Sequence, residues 1–172
     1  YEKRGDTIAY NNEIRNALMN RRIDVDTKLS IFSTYIVGLM KKKQELNRVD
    51  SLFAEMLEQY PQEEPVHRLF GMYLSSRKDF SRAEEQYAIA ADLAPTNPEN
   101  WLQLIGLYLY QEKYAEVIRV GKRAIQYVPD QKDIYMYVAV ASAQTKSYDE
   151  ALSMLETGLN YVEENDAGTK SF

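Results

Sequence analysis

The chain of 172 residues contains no cysteine, only one histidine and no excess of basic residues. Without cysteine it cannot form a disulfide, a thiolate zinc site or a cysteine nucleophile. His67 has no partner constellation for catalysis, so we expect it to be a packing residue. With 21 Lys and Arg against 26 Asp and Glu, the net charge is −5. This balance argues against a nucleic-acid partner, because phosphate binders normally carry a clustered basic surface.

Long apolar runs are also missing. The longest covers residues 134–141, far short of the roughly 20 residues that a membrane helix needs. We therefore expect no direct membrane insertion by this chain.

The sequence does contain a pattern that recurs every 34 residues. Four kinds of residue keep this period: an aromatic residue or histidine, a second aromatic residue, a small residue and a proline. They are His67, Trp101 and Tyr135; Phe80, Tyr114 and Tyr148; Ala90, Ala124 and Gly158; and Pro61, Pro95 and Pro129. A fixed period of this size indicates helix–turn–helix units that stack to build a shared core.

Apolar residues recur with helical spacing throughout the chain, and no stretch alternates for long enough to be a strand. We expect Asp6, Asn97 and Asp130 to cap the N-termini of their helices. The predicted helices cover about 6–20, 26–42, 46–60, 65–77, 80–93, 98–111, 114–128, 132–145 and 148–162.

The residues within a unit have a spacing that is similar to a known repeat. In one unit they are Trp101, Leu104, Ile105 and Tyr108, then Val117 and Gly121, then Pro129. This resembles the tetratricopeptide repeat (TPR) pattern, W-x2-L-G-x2-Y, then A-x3-F, then P. The resemblance implies an all-α fold, a right-handed TPR-type superhelix (α-solenoid) of about four antiparallel helix pairs plus one leading helix.

The period also predicts where the units begin and end. We expect a single TPR array over 1–165, followed by a polar tail that frays or starts a truncated helix. Its parts are a leading helix 6–20, a degenerate unit 26–63, units 64–97, 98–131 and 132–163, and the tail 164–172. Since the chain opens in mid-pattern without an initiator Met, we expect a fragment of a longer protein.

Two segments, 48–53 and 92–98, look like those of long TPR proteins exported by Gram-negative bacteria. That resemblance implies the bacterial cell envelope, either the periplasm or an outer-membrane-associated location. A cytoplasmic location is the alternative.

Gly121 stands where the TPR pattern has a large side chain, and Ile105 and Val117 stand where it has small ones. One interpretation is that the two larger side chains fill the space that Gly121 leaves, because cores conserve total volume. The other is a gap that admits a ligand. We favour the first.

In the TPR family the first helix of each unit lines a concave groove. The matching residues of this chain are mostly apolar, which favours a partner that covers them. They are Arg68, Met72, Ser75, Ser76, Leu102, Gly106, Leu109, Tyr110, Met136, Val140 and Gln144. Of the positions that clamp chaperone carboxylates in other TPR domains, only Arg68 carries a suitable charge here, so such a clamp is not expected.

These observations predict a non-enzymatic protein–protein interaction scaffold, without a cofactor or metal, that binds an extended or helical peptide segment of a protein partner. The alternative is a structural spacer or self-association segment of a longer solenoid. Self-association would use apolar residues expected to be exposed at the two ends. These are Ile8, Ile14 and Leu18, and Leu152, Leu155 and Leu159.

Overall fold

The computed structural model describes the backbone of residues 2–41 and 47–169, and the side chains of residues 7–40 and 47–160. In these residues the regular structure is entirely α-helical, and helices occupy all nine predicted segments. Their bounds are α1 Glu2–Met19, α2 Val25–Lys41, α3 Asn47–Gln59, α4 Glu64–Ser76, α5 Phe80–Leu93, α6 Pro98–Tyr110, α7 Tyr114–Ile125, α8 Lys132–Gln144 and α9 Tyr148–Thr169.

The chain divides into two compact units, Tyr1–Phe70 and Gly71–Phe172. In the first unit, α1 packs against α2 and α3. Phe53 of α3 stands at the centre of its aromatic core, with ring centroids 4.5 Å from Phe32 and 4.3 Å from Phe70. Ile14 and Leu18 are buried in this unit, so the prediction that they form an exposed apolar end is wrong. Ile8 is exposed, as expected.

In the second unit each helix from α5 to α9 contacts the next, and α6 also contacts α8. Short loops between contacting helices make neighbours antiparallel. The pair α6–α7 stacks on the pair α8–α9, because both α6 and α7 contact α8. Small residues allow the helices to approach closely. A Cβ built on Gly158 would lie 2.9 Å from Cβ of Tyr135, closer than real Cβ atoms approach.

One hydrogen bond recurs with the 34-residue period. The indole Nε1–H of Trp101 donates to the carbonyl of Pro95 at 2.6 Å, and the Tyr135 hydroxyl donates to the carbonyl of Pro129 at 2.9 Å. In the first unit, Nε2 of His67 lies 3.1 Å from the carbonyl oxygen of Pro61. Each ring is buried and carries a polar atom that reaches the carbonyl six residues earlier. This explains why Trp, Tyr and His share one position, and it is consistent with the expected packing role of His67.

The turns between paired helices repeat with the same period. Lys78, Glu112 and Lys146 all have a positive φ, between 57° and 63°. After the first of them, the amide of Asp79 donates to the carbonyl of Leu74, and the other two turns make the equivalent bond. This bond from one residue to the carbonyl five before it closes the helix C-terminus by the Schellman arrangement.

Two local predictions are corrected by the structure. Helix α1 begins at Glu2, so Asp6 lies inside the helix and does not cap it. Gln131 holds the N-cap position of α8, which was predicted for Asp130. The backbone is helical through Thr169, so residues 164–169 are a continuation of α9. Asn97 does cap α6, accepting the amide of Glu99 at 3.1 Å.

The predicted division into repeats stays a prediction. Residues 1, 42–46 and 170–172, which its boundaries include, lie outside the described residues.

The space beside Gly121 is occupied, but not by the residues that the sequence indicated. A Cβ added to Gly121 would overlap Cγ2 of Val138, and Cγ2 of Ile134 is the next atom at 3.7 Å. Both neighbours belong to α8. The structure therefore leaves no ligand-sized gap at Gly121, and α8 supplies the nearest filling atoms in place of Ile105 and Val117.

Candidate functional site: an apolar groove in the second unit

An open groove of about 530 Å³ lies in the second unit. Six of the predicted groove residues meet there, from two first helices of successive pairs. Met72, Ser75 and Ser76 come from the end of α4, and Leu102, Gly106 and Tyr110 come from α6.

Apolar side chains remain accessible in this groove. Tyr110 is 68% exposed and Met72 is 44% exposed. Phe80 holds one side of the Tyr110 ring by an edge contact, with centroids 5.4 Å apart. A Cβ on Gly106 would meet no atom within 4 Å, so the surface at this glycine is open. The groove therefore leaves apolar surface accessible at the methionine and the tyrosine.

The other predicted residues lie outside this groove. Met136, Val140 and Gln144 are exposed on α8, which contacts α6. Leu109 is half-buried on α6 and does not line the groove. Arg68 belongs to the first unit, where its Nε donates to Glu64 at 2.9 Å.

The remaining lining residues were not predicted as part of the site. They are Lys78, Phe80, Tyr87, Gln103 and Leu107. Phe80 and Tyr87 belong to α5, the second helix of its pair; the sequence singled out Phe80 only as a residue of the 34-residue period. Lys78 stands in the turn between α4 and α5. The family register considers first helices alone, and it therefore missed the side chains that the second helix and the turn contribute.

The ionisable groups of the second unit with shifted pKa values lie outside the groove lining. A hydrogen bond from Lys122 lowers the pKa of the Glu150 carboxyl, and burial raises the pKa of the Tyr108 hydroxyl. Within the described residues, no group of three or more His, Asp and Glu side chains could hold a metal ion. None of the helices searched there is both long and apolar enough to cross a membrane.

Paired antiparallel helices, a 34-residue period and stacked pairs define the all-α, TPR-type α-solenoid fold. Comparison with solved structures agrees. A crystal structure of MamA superposes with a TM-score of 0.68 at 16% identity, over 96% of this chain and 94% of MamA. A second MamA structure gives 0.65 at 12% identity, over 96% and 88% of the two chains.

Yeast Tom70 gives a TM-score of 0.60 at 16% identity, over 84% of this chain and 34% of Tom70. At such low identities the likeness shows the fold alone. No protein-family profile matches the chain. No curated protein matches it either.

Proposed function

We propose that this chain is a non-enzymatic protein–protein interaction scaffold that holds an extended or helical peptide segment of a partner in the groove between α4 and α6. The observation that carries the proposal is the exposure of Met72 and Tyr110 on one open, mostly apolar face. Contiguous apolar surface of this kind marks interaction sites, because leaving it in water is unfavourable. The volume of the groove also falls within the range of ligand-binding clefts.

The stacking of α6 and α8 supports a longer binding face. Met136 and Val140 are 45% and 47% exposed on α8, beside the helix that carries Leu102 and Tyr110. A helical segment presents apolar anchors three, four and seven residues apart, so it can contact successive helices of such a face. The assignment to the cell envelope stays a prediction.

A second candidate function rests on a different surface. Tyr148, Leu152, Leu155 and Leu159 are all exposed along α9, at spacings that place them on one side of the helix. These four side chains form an apolar stripe on α9. In a spacer or self-association segment, another helix would cover this stripe.

One pair of variants separates the two functions. In the groove variant, Met72→Glu with Tyr110→Ala, we expect loss of partner capture with a nearly unchanged melting temperature, because both side chains are exposed and exposed side chains contribute little to stability. The matched control carries Leu152→Glu and Leu159→Ala on α9. Capture by the immobilised chain is compared for both variants, and the mass in solution is measured by light scattering.

The groove proposal requires that capture depends on the groove pair and survives the α9 pair. If only the α9 pair changes the behaviour, by dissolving an oligomer, the spacer or self-association function is correct. A large stability loss in the groove variant would show that these residues are structural.

A further inference from the structure

The charges around the groove are uneven. Among the described residues that line the groove, Lys78 carries a charge, and the others are apolar, aromatic, hydroxyl or amide residues. The groove thus combines an apolar surface with one cation at its rim.

The neighbouring cations, Arg77 in the turn and Arg82 in α5, are already engaged. Nη1 of Arg77 donates to the Tyr73 hydroxyl at 2.9 Å. Arg82 pairs with Asp79, with Nη1 3.3 Å from Oδ2. For Lys78, by contrast, the described part of the chain supplies no carboxylate within ion-pair distance.

The backbone fixes where the Lys78 side chain leaves the turn. Its φ is 63°, its amide donates to the carbonyl of Ser75 at 2.9 Å, and the next amide donates to the carbonyl of Leu74 at 3.0 Å. A side chain on such a tightly bonded turn starts from a fixed direction, so less conformational freedom is lost when it binds.

From this charge distribution, and resting on the proposed function, we infer that the groove recognises a peptide with a large apolar side chain close to a carboxylate. The apolar side chain packs among Met72, Leu102 and Tyr110, and the carboxylate pairs with Lys78. The apolar contact supplies most of the affinity. The ion pair, at an exposed rim, supplies mainly selection against basic peptides.

The test is a selection of phage-displayed random dodecapeptides on the whole chain, with Tyr110→Ala as the first comparison. We expect the enriched peptides to need Tyr110 and to carry Asp or Glu near an apolar residue. In a synthesised winner, replacing that acid by its amide should weaken binding about two- to fivefold, the range of an exposed ion pair. The acid dependence should fade at high salt.

Reversing the charge at Lys78 tests the ion pair directly. In Lys78→Glu we expect binding of the acidic peptide to weaken more than the amide replacement weakens it. The matched control is Lys146→Glu, since Lys146 holds the equivalent turn position with the same φ but does not line this groove. This control should bind like the unaltered chain.

Two outcomes overturn the inference in distinguishable ways. If the enriched peptides need Tyr110 but show no acidic preference, or bind Lys78→Glu unchanged, the inference is wrong and the groove function stands. If no enriched peptide depends on Tyr110, both are wrong.

Discussion

Two glycines in the second unit offer a test of how tightly successive helix pairs are packed. Gly121 and Gly106 lie inside neighbouring helices, α7 and α6. The Cβ position of Gly121 overlaps Val138, and that of Gly106 is open. The same substitution, glycine to alanine, should therefore have opposite effects at the two sites.

The magnitudes follow from two opposing contributions. Alanine inside a helix is favoured over glycine by about 1 kcal/mol, so Gly106→Ala should stabilise the chain by about that amount. At Gly121 the same gain is opposed by overpacking, which typically costs about 1–3 kcal/mol. Val138 cannot move aside easily, because it is fully buried and a β-branched side chain has one strongly preferred rotamer in a helix. Gly121→Ala should therefore destabilise by about 0–2 kcal/mol.

Urea unfolding, followed by circular dichroism, measures the free energy of unfolding of both variants. Repeating Gly121→Ala in a chain that also carries Val138→Ala tests whether the overlap with Val138 causes the loss. With Val138→Ala in place the overlap disappears, so Gly121→Ala should then stabilise by about 1 kcal/mol, as at Gly106. Neighbours that share one volume are coupled by about 0.5–3 kcal/mol. Equal stabilisation at the two glycines in the original chain, or no coupling to Val138, would refute the close packing of α7 against α8.

Three further predictions concern stability. Glu112→Gly should stabilise the chain by about 0.5–1 kcal/mol, since Glu112 has a φ of 57° that glycine adopts without strain; an unchanged or lower urea midpoint would contradict this. Tyr135→Phe keeps the ring but removes the donor to the carbonyl of Pro129, so urea unfolding should show a loss of about 1 kcal/mol; no loss would mean that the bond contributes nothing. At Asp24, the hydrogen bond from the amide of Thr27 lowers the carboxyl pKa, so its stabilisation is present above the ordinary pKa and lost as the pH falls through the lowered one. Melting temperatures between pH 7 and 2 should therefore fall less steeply in Asp24→Asn, and identical profiles would mean that the bond from Thr27 does not stabilise the chain.

The sequence was sufficient for the helices and the fold class, because a helical period and a 34-residue repeat are properties of the chain alone. The sequence was less informative where two neighbouring residues could hold the same N-cap position. Asp130 has the residue type of an N-cap, yet Gln131 holds that position in α8. Residue type gives a capping preference, but the backbone path of the turn decides which residue comes first in the helix.

About half of the residues that line the groove could be predicted from the sequence. The register of the TPR pattern selected six of the first-helix residues that line it, including Leu102 and Tyr110, because that face depends on position within the repeat, but it missed Gln103 and Leu107 of α6. It could not select Phe80 or Lys78, since their place in the groove depends on how α5 and its turn lie against α6. Likewise, the neighbour of Gly121 could not be identified from its own helix pair, because it is Val138 of α8.

The bonds from each buried ring to the proline carbonyl six residues earlier have a consequence for how such a chain can change length. Removing residues 98–131 would delete 34 positions and place Tyr135 where Trp101 now stands, six residues after Pro95. The phenol could then donate to the carbonyl that the indole has vacated. The same contact between a ring and the carbonyl six residues earlier occurs at His67, Trp101 and Tyr135. A 34-residue segment could therefore be lost, duplicated or exchanged without breaking this pairing. A cut whose length is not a multiple of 34 would leave a carbonyl and a ring without their counterparts.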